Sequence, residues 1–277
     1  MPTPLLLPFV LVSFSANSLI TRYVVRGHLL DAGLVTAVRF LAGALALAVL
    51  AASKGERPVV RRTHLLPALW LGIYAVCISY GYEHIGAAAG TFVFYATVLI
   101  TLAVYDLANR TSVPARRLAG AGVALGGLGV LASSNVGSVT PLGVGLLAAT
   151  GAAWGLYTAA GRSMGDPRVA STGNFLALAV VLVVPTIVLA SSDVTVTGEG
   201  VAWSAVMGAG TTAFAYVAWY ACQRALSATS AGTVQLVIPV LTAVGAVLLL
   251  DERFTTQLTI AAVLVGAGML LARPRKA

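Results

Sequence analysis

Apolar stretches about twenty residues long recur along this 277-residue chain, parted only by short, polar and mostly basic breaks. A helix needs roughly 20 mainly apolar residues to cross the hydrocarbon of a bilayer, so the pattern prescribes a bundle of membrane-spanning helices. Composition agrees. The chain is 58% hydrophobic and only 9% charged, where a soluble domain carries about 25% charged residues, and a water-soluble fold of this sequence would have no surface to show. Runs and breaks together predict ten spans, at about 5–24, 32–52, 65–82, 86–105, 115–133, 141–161, 172–190, 201–221, 227–250 and 256–272. Helices 3 and 4 are barely separated, near Glu83-His84. They are kept apart because one unbroken helix would exceed 40 residues.

The net charge of +8 does not point to nucleic acid, because its cations lie in loops between apolar runs and not on the face of a soluble module. They set the orientation instead. With ten spans, thirteen Lys and Arg fall on the side shared by the even loops and both termini, against Arg22, Arg26 and Arg253 on the other, which predicts cytoplasmic termini. The seventeenth cation, Arg39, lies inside a span. Cys77 and Cys222 sit in apolar runs without metal-ligand or redox spacing and read as small hydrophobes, so neither metal, disulfide nor cofactor is expected. The first residues lack the basic region of a cleaved signal and read as the start of helix 1.

The two halves of the chain resemble each other. Residues 85–99 of helix 4 align with 226–241 of helix 9 across one gap, so that Gly90-Thr91 meets Gly232-Thr233. Gly127-Leu-Gly-Val-Leu-Ala at the end of helix 5 matches Gly266-Ala-Gly-Met-Leu-Leu-Ala at the end of helix 10. Phe14-Ser-Ala-Asn-Ser and Arg22 match Trp154-Gly-Leu-Tyr-Thr and Arg162 at one offset. A repeat with an odd number of spans inserts its two copies in opposite senses. The expected fold is therefore an all-α integral membrane protein of ten transmembrane helices, a 5+5 inverted-topology repeat with one half over 1–137 and the other over 138–277.

The second half carries a recognisable pattern. Trp219-Tyr-Ala-Cys-Gln-Arg-Ala-Leu-Ser-Ala-Thr-Ser-Ala-Gly-Thr-Val-Gln-Leu-Val-Ile-Pro-Val-Leu runs on to Leu250-Asp-Glu-Arg-Phe, placing small residues before a helix-9 proline and an acid directly after that helix. In this the chain resembles the EamA-type, ten-helix branch of the drug/metabolite transporter superfamily. The first half departs from the pattern, with Thr97 at the proline position and Asn109-Arg110 at the Asp-Glu position. The resemblance implies export or exchange of amino acids, other metabolites or amphiphilic toxins by alternating access around a central cavity lined by helices of both halves. It also implies a bacterial cytoplasmic membrane as the location.

Polar and aromatic side chains at membrane depth are the candidates for such a site, because they are costly in hydrocarbon unless they face protein or a watery cavity. Asn17, Tyr74, Tyr95, Trp154, Tyr157, Tyr216 and Gln235 form the substrate-binding set. Ser, Thr and Gly at helical spacing are read first as packing residues, and the small-xxx-small pairs Gly122/Gly126 and Ala262/Gly266 as helix contacts within the monomer, a dimer being the alternative. Trp70, Tyr82, Tyr105, Trp203 and Tyr220, nearer the span ends, read as interface anchors. Pro239 lacks the N–H that would bond the carbonyl of Gln235, which leaves a free carbonyl and a side-chain amide at one depth. They either receive a substrate ammonium or hydroxyl, or form a structural kink with the Gln bonded to a neighbouring helix. Arg39 and Glu83 complete a structural or gating group with Pro239; Arg39 either snorkels or pairs, with Glu83 as the partner to test. Pro185 is read as structural and Asp251-Glu252 as a capping turn.

None of the nine acids stands near the middle of a span, which argues against a membrane proton relay. His28, His64 and His84 fall at span ends or in loops, so the parts of an intramembrane enzyme are missing. The expected activity is secondary transport of small neutral or zwitterionic metabolites, amino acids first, with a channel or a lipid or amphiphile translocator as the alternative. The expected partners are that solute and the bilayer, with no nucleic acid, and the chain acts as a monomer or a dimer.

Overall fold

A computed structural model describes residues 3–85, 87–133, 139–190, 194–249 and 255–272. Among these the chain forms ten helices: α1 (Thr3–Arg26), α2 (Ala32–Ser53), α3 (Arg62–His84), α4 (Ala87–Ala108), α5 (Ala115–Ser133), α6 (Pro141–Gly161), α7 (Pro167–Ala190), α8 (Gly198–Gln223), α9 (Ala228–Leu249) and α10 (Thr256–Ala272). Eight are long and apolar enough to cross a membrane; α10 and the apolar part of α7, Pro167–Leu182, are shorter. The chain is thus an all-α, multi-pass membrane protein. The narrow division between helices 3 and 4 is real: α3 stops at His84 and α4 begins at Ala87.

Local chemistry sets several helix ends. Asp31 caps α2 by accepting the amide N–H of Gly33 at 2.8 Å, and Ser227 caps α9 by accepting that of Ser230 at 3.2 Å. Proline opens α6 and α7, where its missing N–H leaves no intrahelical bond unmade. Two of the ten helices are irregular. In α8 the segment Gly208–Phe214 is wound as a π-helix, and α9 breaks at Leu236, three residues before Pro239.

The helices gather into two compact units that do not follow the halves of the sequence. The first takes residues 1–79 and 160–224, the second residues 80–159 and 225–277. In the first unit, α2 packs against α7 and α8, and α1 against α8. Its core holds an aliphatic cluster of Val24, Leu30, Leu34, Val35 and Met207, and an aromatic group in which Tyr216 meets Phe14, Phe175 and Phe40 edge-on, at ring separations of 5.5, 5.5 and 6.5 Å. Gly43 and Gly208 let α2 and α8 approach closely: a Cβ on Gly43 would lie 3.1 Å from the carbonyl oxygen of Gly208, and one on Gly208 would collide with the carbonyl of Arg39.

In the second unit α5 lies along α10, and α4 packs on α5 and α9. Gly120 and Gly268 touch backbone to backbone, and Gly127 faces Leu264 and Ala261. The glycines of the small-xxx-small pairs, read as helix contacts within the monomer, make no such contact. Gly122, Gly126 and Gly266 face open space, because the contacting stripe is displaced around the helix to Gly120, Ala124 and Gly127.

One loop device occurs in both units. Val139-Thr140-Pro-Leu-Gly-Val enters α6 and Val196-Thr197-Gly-Glu-Gly-Val enters α8. Thr140 donates its hydroxyl to the carbonyl of His84 at 2.8 Å and accepts the N–H of Gly143 at 3.1 Å; Thr197 does the same with Leu29 at 2.7 Å and Gly200 at 3.0 Å. Each valine pairs as a β-bridge, Val139 with Ile85 and Val196 with Leu30. Glycine is required in both, since a Cβ would lie 2.7 Å from the His84 oxygen in one and 2.5 Å from that of Leu29 in the other.

Candidate functional site

Trp154, Tyr157 and Gln235 gather in one polar cluster in the second unit, and Asn17 anchors another in the first. In the second unit, Trp154 of α6 donates its indole N–H to the side-chain oxygen of Gln235 at 2.6 Å, and the Gln235 amide donates to the carbonyl of Ala231 at 3.0 Å. Tyr157 stacks on Trp154 at 5.6 Å with the planes 26° apart. All three are buried, as is Pro239 one turn beyond Gln235. Leu236 forms a tighter turn here, its N–H bonding to Thr233 at 3.2 Å. The helix break expected from Pro239 is therefore present, and the Gln235 amide is bonded both to its own helix and to α6. Tyr95 of α4 is buried in the same unit with its ring 4.5 Å from that of Phe94.

In the first unit, Asn17 of α1 is bound to the π-helical part of α8. Its amide donates to the carbonyl of Thr211 at 3.1 Å, and its side-chain oxygen accepts from the hydroxyls of Thr211 at 2.5 Å and Thr212 at 3.2 Å. Tyr216 stands one turn after Thr212, enclosed by the aromatic group. A π-turn widens the helix and leaves the usual ladder out of step, a feature frequent at functional sites, and here it lets one Asn engage both a carbonyl and two hydroxyls. Tyr74 of α3 is half-buried in this unit. Arg39 is buried, with its Cζ 4.6 Å from the Phe40 ring centre. It does not snorkel to an exposed end. The side chain of Glu83, that of Pro185, and the Asp251-Glu252 turn lie outside the described residues.

One expectation here needs correction. Tyr220, read as an interface anchor, is fully buried: its hydroxyl accepts the Asn174 amide at 3.1 Å and its ring fills the space left by Gly161. His64 stands in the first turn of α3, at the span end expected of it, where it is buried against Gly173 and accepts the N–H of Arg61 at 3.0 Å.

Two features escaped sequence reasoning. The first is Asp106, buried near the end of α4, which accepts from the amides of Ala228 at 3.2 Å and Thr229 at 2.8 Å and from the Thr229 hydroxyl at 2.7 Å. A carboxylate on the N-terminal amides of α9 satisfies donors that have no intrahelical partner and favours the helix dipole. Arg117 adds a bond to the Ser227 hydroxyl at 2.8 Å. No local signal ties Asp106 to a helix start more than 120 residues away. The second is the π-segment, whose only trace in sequence is the run Gly208-Ala-Gly-Thr-Thr.

Among the described residues no group of His, Cys, Asp and Glu is arranged to hold a metal. The chain's Cys77 and Cys222 are free thiols.

Residues 141–273 match the EamA-like transporter family. An uncharacterized protein of Pseudomonas aeruginosa is 35% identical over 274 residues, covering 98% of this chain and 94% of that protein. A crystal structure of a protein only 20% identical superposes with a TM-score of 0.84, covering 98% of this chain and 96% of the other, and so shares the fold. The chain belongs to the EamA-like transporter family of the drug/metabolite transporter superfamily.

Proposed function

We propose that this transporter exports or exchanges small neutral or zwitterionic metabolites, amino acids first among them, by alternating access, and that it does so in a bacterial cytoplasmic membrane with both termini in the cytoplasm. The observation that carries the reading is the burial of Trp154, Tyr157 and Gln235 together beside the break in α9. Aromatic faces with one amide suit a partly apolar solute bearing hydrogen-bonding groups. The solute-contacting set is Asn17, Tyr74, Tyr95, Trp154, Tyr157, Tyr216 and Gln235, with Arg39, Glu83 and Pro239 as structural or gating residues.

The inverted repeat is part of the same proposal. Its support is that counterpart helices lie side by side within each unit: α2 with α7 in the first, and α4 with α9 and α5 with α10 in the second. Transport runs down the solute's own gradient or by exchange. The buried carboxylate of Asp106 supports this, because three donors of α9 already engage it as a cap.

Purified protein in proteoliposomes tests the reading. Saturable counterflow of an amino acid, unaccelerated by an imposed pH gradient, is expected. Flux without counterflow would identify a pore, strong acceleration by the gradient would identify proton coupling, and competition by lipids alone would identify an amphiphile translocator.

A further inference from the structure

Arg39 is the one cation placed well inside an apolar span, and it is 6% exposed. Burying a guanidinium without a counter-charge is among the costliest arrangements a membrane helix can hold. Yet neither Nε nor Nη2 has a hydrogen-bond partner. The Phe40 ring, 4.6 Å from Cζ, offers a π face but no charge and no lone pair. The four described carboxylates of this unit are engaged elsewhere. Asp31 caps α2, Glu56 pairs with Arg168 at 3.0 Å, Asp166 bonds the N–H of Arg168 at 2.8 Å, and Glu199 accepts from the Tyr23 hydroxyl at 2.8 Å.

The unpartnered atoms have a shape. Nε–H and one Nη2–H point the same way and form the side-on edge of the guanidinium fork, whose spacing matches the two oxygens of a carboxylate. A second donor is close in the fold. The Ser204 hydroxyl is wholly buried and also lacks a partner; it precedes by one helical turn Gly208, where an added Cβ would collide with the Arg39 carbonyl. One turn before Arg39 on α2, the Thr36 and Ser79 hydroxyls meet at 2.7 Å.

We propose that Arg39 is the seat of a substrate carboxylate, gripped side-on by Nε and Nη2, with the Ser204 hydroxyl as an auxiliary donor. The proposal rests on the transport of small zwitterions and deepens it, making the carboxylate the obligatory part of the solute and moving Arg39 from the gating group into the solute-contacting set. A seat this buried is loaded only when the helices around it part, as a carrier's must.

The full-length protein in detergent tests this without reference to flux. Its thermal unfolding is followed with benzoate and acetate, against benzamide, acetamide, chloride and inorganic phosphate at matched ionic strength. Each carboxylate is expected to raise the midpoint by about 5 °C at a hundredfold its Kd, the amides and chloride to leave it unmoved, Arg39→Lys to reduce the rise and Arg39→Gln to abolish it. Equal protection by acid and amide, a rise that survives in Arg39→Gln, no rise with any carboxylate, or greater protection by phosphate would each overturn the proposal. Should Arg39→Gln not fold, the acid and amide series on the unaltered protein and on Arg39→Lys decides. Counterflow of amino acids is measured separately: its absence sinks the transport reading, while the melting series still judges Arg39.

Discussion

The indole N–H of Trp154 and the side-chain oxygen of Gln235 lie 2.6 Å apart, both residues buried, and tie α6 to α9 one turn before Pro239. Replacing either partner alone strands a buried polar group, which costs about 1–3 kcal/mol. Trp154→Phe and Gln235→Leu should each lower stability by that amount, and the double variant by less than their sum, with a coupling of about 1–2 kcal/mol. A double-mutant cycle on reversible unfolding measures it. Additive losses would mean that the bond contributes nothing.

Asp106 supplies acceptors to the first turn of α9. Asp106→Leu removes them all and should cost about 3 kcal/mol or more, whereas Asp106→Asn keeps one carbonyl acceptor and should cost about 1 kcal/mol. If the residue only caps, Asp106→Asn transports with unchanged dependence on an imposed pH gradient. A changed dependence would make Asp106 part of the coupling machinery.

The glycines of α5 should separate cleanly by face. A Cβ on Gly120 would press on the backbone of Gly268 and Ala272, so Gly120→Ala should destabilise by about 1–3 kcal/mol. Gly122 meets nothing within 4 Å, so Gly122→Ala should be neutral or stabilise by up to about 1 kcal/mol through helix propensity. Thermal unfolding of the two single variants makes the comparison.

Thr140→Val and Thr197→Val each delete a cap and the bond that holds a neighbouring loop. Each should cost about 1 kcal/mol and speed amide hydrogen exchange at Gly143 or Gly200 respectively, leaving the other loop unchanged. Faster exchange at both loops from one substitution would mean that they open together.

The number and limits of the helices were legible in the sequence because hydrophobic length is a local property: twenty apolar residues demand a helix whatever surrounds them. The Pro239 break was legible for the same reason, since a missing N–H acts within its own turn. Partnership was not local. Gly120 and Gly122 differ by two positions on one helix, and only the docking of α10 decides which one touches a neighbour. Asp106 reaches a helix start far along the chain, Tyr220 is buried because Gly161 and Asn174 happen to face it, and the π-segment from Gly208 presents Thr211 and Thr212 to Asn17 of a distant helix. The internal matches in the sequence suggest two halves, whereas tertiary packing sorts the helices into two units that each draw on residues before and after position 138. The physical reason is that side-chain contact depends on which faces meet, and in a chain apolar on nearly every face, hydropathy carries little information about that choice.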